Sequence, residues 1–223
     1  MVIVLVIVSV GLFLFIEALV SWLNRKSFEQ AEPETAKGFA DLCLPRGLFL
    51  GSGHAWARLA NSGELKLGVD EFLAQALGGC DSVELPEPGS KLTKGAPLAT
   101  ISRLRRRIVV PSPIDGTVVA TNSTVSRVPS ALNADPYGSG WLASVWPVDH
   151  AEAIKSLRVG ERAFKWLERE VERFTDFLAM RTAPKLVGAT IPDGARPVVG
   201  AALVLDDEAW EEFTREFTHE PAN

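Results

Sequence analysis

The stretch LATISRLRRRIVVPSPIDG, residues Leu98–Gly116, consists of two apolar runs on either side of a basic crest. The runs Leu98–Ile101 and Ile108–Val110 are rich in β-branched residues, and Asp115-Gly116 adds a turn signal at the end. Two such runs joined by a short polar crest are typical of a β-hairpin. The stretch therefore predicts a hairpin that exposes its crest to solvent.

The crest carries four arginines and no lysine, and no lysine occurs anywhere between Lys94 and Lys155. Arginine presents a rigid fork that suits carboxylates and phosphates, so an acidic partner surface or anionic lipid headgroups are natural ligands. The alternative is a solvated turn whose charges only keep the strand edge from aggregating. Both interpretations stay open, and the candidate binding residues are Arg103, Arg105, Arg106 and Arg107.

The composition narrows the class of protein. The chain has 223 residues and a net charge of −5, which gives no general affinity for nucleic acid. Its two cysteines, Cys43 and Cys80, are far apart, and its three histidines lack metal-ligand spacing. No nucleophile elbow, phosphate-binding loop or zinc-protease motif occurs in the sequence. We therefore expect a protein without a metal site that is not an enzyme.

The first residues form an almost unbroken apolar run, Val2–Leu23, long enough to span a hydrocarbon core of about 30 Å as a helix. Trp22 lies where an interfacial aromatic is expected, and Arg25 and Lys26 follow. A cleaved signal peptide fits less well, because no basic segment precedes the run and no small-residue cleavage site follows it. The sequence predicts a single-pass helix in the lipid bilayer of the inner membrane, with the rest of the chain on the cytoplasmic side.

Glu17 is an ionisable residue inside this run. It either extends toward the headgroups or stays protonated, or it contacts a neighbouring membrane subunit, since ionisable residues in membranes usually have partners. The sequence does not separate these alternatives.

Four regions follow from these patterns: the transmembrane helix 1–23, a polar linker 24–46, a main domain 47–181 and a tail 182–223. The main domain begins with short β-branched runs separated by frequent turn residues, which predicts a small β-barrel or sandwich. One helix, Val69–Leu77, interrupts the strands, with Asp70 as its cap and Gly78-Gly79 at its end.

The main domain ends in an amphipathic helix, Glu161–Met180. Trp166 and Phe177 widen its apolar stripe, so part of the stripe is a candidate partner surface. The stripe itself is formed by Phe164, Leu167, Val171, Phe174 and Leu178.

The tail predicts a small hairpin and a short helix. The arms of the hairpin are Leu186–Ile191 and Pro197–Leu205, on either side of Asp193-Gly194. Asp206 or Asp207 then caps a helix that packs on the barrel or on a partner. Its aromatic residues, which are candidate partner contacts, are Trp210, Phe213 and Phe217.

A series of short motifs follows in a fixed order between about Gly47 and Leu178. The motifs are His54–Arg58, Gly68–Asp70, Val83–Pro86 with Gly89, Gly95–Leu98, Pro113–Gly116, Asn122 and Asp135–Leu142. In this order and at these spacings the chain resembles the glycine cleavage system H protein family. The resemblance implies a mainly β, lipoyl-like barrel-sandwich hybrid domain, to which the transmembrane helix, the amphipathic helix and the hairpin-and-helix tail are added.

The resemblance also implies a tip hairpin that carries lipoic acid on a lysine, within a local Glu-Ser-Val-Lys-Ala pattern. Alignment on Pro113–Gly116 puts Arg105 at the lysine position and Ser102 at the glutamate position. A guanidinium stays protonated at physiological pH and is no acyl acceptor. We therefore expect no lipoyl cofactor on this chain.

The sequence as a whole favours a membrane-anchored, non-lipoylated adaptor or accessory subunit of a membrane-associated protein complex, for which a redox complex is one candidate. Other subunits of that complex are the expected partners. A periplasmic adaptor of an export pump is an alternative, although such adaptors interrupt the barrel with a long helical hairpin. A lipoyl carrier is a further alternative, which the missing lysine disfavours.

Overall fold

The computed structural model describes residue 39, residues 42–182 and residues 197–218. Within this described part the strands are β1 Leu48–Leu50, β2 Ala55–Leu59, β3 Leu65–Val69, β4 Ser82–Glu84, β5 Lys91–Leu92, β6 Pro97–Arg103, β7 Arg106–Pro111, β8 Gly116–Thr121, β9 Ala143–Pro147 and β10 Arg158–Val159. The α-helices of the same residues are α1 Glu71–Leu77, α2 Ser123–Arg127, α3 Ala131–Ala134, α4 His150–Lys155, α5 Glu161–Thr182 and α6 Asp207–Thr218.

The strands form two antiparallel sheets. One has the strand order β10-β1-β2-β3-β9-β8-β5, and the other has the order β4-β6-β7. Ile108 and Val110 of β7 are buried while Val109 between them is 41% exposed, so the small sheet turns one face toward the core and the other toward solvent. Apolar residues of both sheets join a single core, which confirms the prediction of a mainly β sandwich.

Helix α1 follows the predicted signals closely. Asp70 accepts a hydrogen bond from the backbone N–H of Leu73 at 3.0 Å, and Gly78 ends the helix at φ +64°. The helix begins at Glu71, because Val69 is still the last residue of β3.

Helix α5 confirms the prediction of a long amphipathic helix, but its buried face differs from the predicted stripe. Phe164 was expected on the apolar stripe and is 41% exposed. The buried positions instead start at Ala163 and recur at Leu167, Glu170 and Phe174, which lie on one side of a helix. The buried face therefore includes a carboxylate that the apolar pattern did not indicate.

The tail differs from the predicted hairpin. The arm Pro197–Leu205 is not a strand, since Ala201–Val204 form a 3₁₀-helix and Val198 makes only an isolated bridge. Gly200 adopts φ +83° and donates its N–H to the Gln75 carbonyl at 2.8 Å, which turns the chain onto the end of α1. The other arm lies outside the described residues.

The predicted helix of the tail is present as α6. The side chain of Asp206 accepts the N–H of Ala209 at 3.0 Å, so Asp206 rather than Asp207 caps this helix. The described tail residues belong to the same compact unit as the sheets.

The predicted transmembrane segment 1–23, Glu17 and nearly all of the linker 24–46 before residue 42 lie outside the described residues. The membrane prediction therefore stays a prediction. Among the helices of residues 42–182 and 197–218, none combines the length and the apolar character that a membrane span requires.

Candidate functional site

The hairpin predicted from the sequence is formed by β6 and β7. Arg103 pairs with Arg106 across the ladder, so Leu104 and Arg105 make up the whole turn. Leu104 has φ +53° and Arg105 does not have a positive φ, so the unusual backbone conformation of the turn lies at Leu104. Both side chains are exposed, Leu104 to 73%. The turn thus displays one leucine and one arginine, and we call these two residues the hairpin tip.

Asp81, which precedes β4, holds the tip from one side. Its carboxylate accepts the backbone N–H of Leu104 at 2.6 Å and the guanidinium of Arg103 at 2.5 Å. The hydrogen bond from Leu104, and after it the contact with Arg103, hold the pKa of Asp81 below its ordinary value. Arg103 is therefore engaged inside the molecule.

Arg106 connects the hairpin with the tail. Its guanidinium donates to Asp207 at 2.8 Å and to the Leu205 carbonyl at 2.5 Å, and it lies 5.1 Å from the ring centroid of Trp210. The side chain of Arg106 is only 18% exposed. Asp207 is 98% exposed, so the ion pair itself adds little, and the contacts of Arg106 with the Leu205 carbonyl and with Trp210 hold the start of α6 beside β7.

Arg107 donates to both carboxylate oxygens of Glu84, at 2.8 and 2.9 Å. Both side chains are largely exposed, so this pair adds little to the free energy of folding. The carboxylate of Glu84 does balance the charge of Arg107.

Arg105 differs from the other three arginines of the crest. Within residues 42–182 and 197–218 it has no hydrogen bond or ion pair, while Asp81, Asp207 and Glu84 each engage one of the others. The sequence indicated all four arginines as candidate binding residues. Arg105 is therefore the one crest arginine without an internal partner in this part of the chain.

The aromatic candidates of the tail are not available to a partner. Phe213 and Phe217 are buried at 0% and 2% exposure, and Trp210 at 7%. Phe213 packs on Phe174 at 5.3 Å between ring centroids, because the apolar side of α6 faces α5. These three residues complete the core, which corrects their assignment as a display surface.

Trp166, another partner candidate, is half-buried. Its ring lies 5.0 Å from the imidazole of His54, and the guanidinium of Arg158 lies 4.8 Å from the centroid of the same ring. Trp166 therefore covers a buried histidine, and only part of its surface remains for a partner.

His54 lies at the centre of a polar cluster that sequence reasoning did not find. It is fully buried, and its Nδ1–H donates to the buried Asp70 at 2.8 Å. On its other side, Nε2 is 3.8 Å from a carboxylate oxygen of Glu170, while the ring stacks on Phe72. His54 is therefore a core histidine. The sequence signal that could have identified Asp70 as the partner of His54 is an antiparallel hairpin of two strands. The first strand begins directly after His54 and the second ends directly before Asp70, so the hairpin brings the two residues together.

The carboxylates that engage the hairpin were also missed. Asp81 precedes β4 and Glu84 is its last residue, and a sequence pattern does not assign this strand to the neighbourhood of β6. Asp207 comes from a helix about a hundred positions further along the chain. In the described part of the chain, no group of three or more histidine, cysteine or acidic residues could hold a metal ion.

With the geometry in place, comparison with known proteins identifies the family. The family profile described as Glycine cleavage H-protein matches residues 49–170, which run from β1 into α5 and include the hairpin. This chain belongs to the glycine cleavage H-protein family.

Similar proteins match about half of this chain and most of their own length. The chain is 35% identical over 109 residues to a glycine cleavage system H protein of Shewanella denitrificans, a match that covers 49% of this chain and 84% of the relative. It is 31% identical over 125 residues to a probable H protein of Pyrococcus horikoshii, with coverage of 56% and 92%. A crystal structure of an H protein from Mycobacterium marinum aligns at 25% identity with a TM-score of 0.49, and the match covers 56% of this chain and 98% of the other.

Proposed function

We propose that this chain is a non-lipoylated H-protein-like adaptor that holds a partner protein at the hairpin tip. The observation that carries the proposal is Arg105 at the apex of the turn, where the family resemblance implies a lipoyl lysine. The hairpin is otherwise complete, so the scaffold that presents the residue has been kept while the acyl acceptor is missing. Such a protein binds rather than transfers a group, and it is not an enzyme.

The nearest lysines do not replace the missing acceptor. Lys94 precedes β6, so it lies at the opposite end of a seven-residue strand from the turn, about 20 Å away. Lys155 lies in α4, outside the hairpin. A lipoyl arm on either residue would start from a different place than one at the tip.

The proposed adaptor is anchored in the inner membrane by the run 2–23 and works on its cytoplasmic side. The length of the run and the basic residues after it support this part of the proposal. The proposed partners are other subunits of a membrane-associated complex, with a redox complex as one candidate. The export-pump alternative is not proposed, because the tip of the hairpin is a two-residue turn.

The absence of lipoylation is tested by intact mass. The full chain is co-expressed with a lipoate ligase and lipoic acid, alongside the Shewanella denitrificans H protein as a positive control. We expect the mass of a lipoyl group on the control and none on this chain. A lipoyl group on any lysine of this chain would contradict the proposal.

Membrane anchoring is tested separately by fractionation. The full chain should sediment with membranes and require detergent for release, whereas a variant without residues 2–23 should not. Recovery of the full chain in the soluble fraction would remove the anchor from the proposal and leave the docking role to be judged on its own.

A further inference from the structure

Leu104 is held in a conformation that a leucine rarely adopts. Its φ of +53° lies in the left-handed region, which favours glycine over residues that carry a Cβ. The side chain is also 73% exposed, so no packing inside the described molecule compensates for the strain. Strained, exposed residues at a tip are characteristic of contact sites, where the partner supplies the compensation.

The tip is fixed before any partner arrives. Asp81 holds the backbone N–H of Leu104 and the side chain of Arg103, and the low pKa of its carboxyl keeps it ionised at neutral pH. On the other strand of the hairpin, Arg106 contacts the start of α6. A turn constrained from both strands loses little conformational entropy on binding, which favours affinity.

We propose that Leu104 and Arg105 form a rigid docking tip for a partner protein that offers a carboxylate beside a small apolar pocket. The guanidinium of Arg105 would pair with the carboxylate and the leucine would fill the pocket. Arginine beside an apolar anchor is a common composition of the residues that dominate protein interfaces. This inference rests on the proposed adaptor function and adds to it the chemistry of the partner.

The charges around the tip favour a protein over a lipid surface. Asp81, Glu84 and Asp207 balance three arginines, so Arg105 remains as one net positive charge. Binding to anionic headgroups needs several basic residues, since each contributes only about 1 kcal/mol. One arginine and one leucine suit a localised pocket better than a diffuse surface charge.

The probe for this inference is a random-peptide display library, selected against the full chain in mild detergent. We expect enriched peptides to share an aspartate or glutamate next to an aliphatic or aromatic residue. Arg105→Glu should lower the affinity for an enriched synthetic peptide at least about tenfold, and Leu104→Ala should lower it severalfold. Both affinities are measured by fluorescence anisotropy.

Matched controls come from elsewhere on the surface. Arg169→Glu makes the same charge change on the exposed side of α5, and Val128→Ala removes a comparable exposed aliphatic side chain. Neither should change the affinity. Peptides without the acidic-apolar motif, or peptides that bind Arg105→Glu as well as the native chain, would overturn the inference.

A second experiment tests whether the hairpin tip binds lipid instead of a protein. A Leu104→Cys, Cys43→Ser variant carries an environment-sensitive dye at the tip, because Cys80 is buried and Cys43 is exposed. The labelled chain is reconstituted in nanodiscs of neutral or of anionic phospholipid. Equal emission in both supports the protein partner, whereas a blue shift in anionic nanodiscs alone would assign the tip to lipid and overturn the inference.

Failure of the proposed function and failure of the docking inference give different results. Detection of a lipoyl group contradicts the proposed function whatever the peptides show. A chain without lipoyl that selects no acidic-apolar peptide keeps the non-lipoylated assignment and loses only the docking chemistry.

Discussion

Arg105 is the residue on which the proposed function depends. Arg103 and Arg106 pair across the end of the hairpin, so the backbone that presents Arg105 is a regular two-residue turn. A lysine at this position would offer an amine that can be acylated, whereas a guanidinium offers a charged fork for a carboxylate. In the proposed function, this one side chain provides a non-covalent contact in place of a covalent acceptor.

Leu104→Gly should stabilise the protein. Glycine adopts φ +53° without the contact between Cβ and backbone that strains leucine, and this gain exceeds the entropy that glycine loses on folding. We expect the free energy of unfolding to rise by roughly 0.5–1 kcal/mol, measured by urea denaturation of the full chain. Leu104→Ala keeps the Cβ and should give no such gain. A less stable glycine variant would show that the leucine is not strained.

At the scale of elements, the carboxylate of Asp81 connects the start of β4 with the turn of the hairpin, in addition to the ladder between β4 and β6. Asp81 has a lowered pKa because it accepts the Leu104 N–H and contacts Arg103. A carboxyl whose pKa is depressed by folding stabilises the native state above its unfolded pKa, and this contribution is lost as the pH falls through the folded pKa.

The test compares the native chain with Asp81→Asn over a pH series. The native chain should have the higher Tm at neutral pH, and the difference should shrink as the pH falls below about 4, near the ordinary pKa of aspartate. Asp149 also has a lowered pKa, but it is present in both proteins and cancels in the difference. A difference that persists unchanged in acid would mean that ionisation of Asp81 does not hold the turn.

Asp70 joins helix α1 to the buried histidine. One oxygen caps α1 through the Leu73 N–H, and the other accepts from His54, with both side chains fully buried. Asp70→Ala removes a cap and leaves the imidazole unpaired, so the free energy of unfolding should fall by about 2–4 kcal/mol. The measurement is urea denaturation.

Asp149→Ala is the matched control for that substitution, because Asp149 also caps a helix but lies at the surface. It should cost clearly less. Equal losses for the two variants would show that the contact with His54 contributes nothing beyond the cap.

At the scale of the whole molecule, the tail completes the core although it lies outside the region that matches the family. The matched residues end at 170, and Phe213 is fully buried 43 positions later. Its ring packs on Phe174, and Phe217 of the same helix stacks on Phe72 at 5.9 Å between ring centroids. Because Phe72 lies in the matched region, the family scaffold and the tail share one set of aromatic contacts. The tail is therefore a structural part of this protein.

Phe213→Ala should lower the free energy of unfolding by about 3–5 kcal/mol, since it removes a buried ring and leaves a cavity. Thermal or urea unfolding of the full chain measures this loss. Val204→Ala is the control from the same tail, because Val204 is 68% exposed and should change stability little. A small effect of Phe213→Ala would mean that the tail only rests on the surface.

The sequence by itself determined the features that depend on near neighbours. Alternation along Leu98–Ile101 and Ile108–Val110 predicted the hairpin, and Asp70 with Gly78 predicted the ends of α1. The order of family motifs and the missing lysine were also readable directly. These signals are local because strand alternation and helix capping act over a few residues.

Only the tertiary structure decided which groups of the candidate site are free. The pairs of Arg103 with Asp81 and of Arg107 with Glu84 join residues 22 and 23 positions apart, and Arg106 with Asp207 joins residues 101 positions apart. The burial of Phe213 and the exposure of Phe164 also depend on which element packs against which. The spacing of apolar residues indicates that a helix has an apolar side, but the element that covers this side comes from a distant part of the chain. Long-range contacts therefore engage three of the four candidate arginines and leave Arg105 without an internal partner in the described part of the chain.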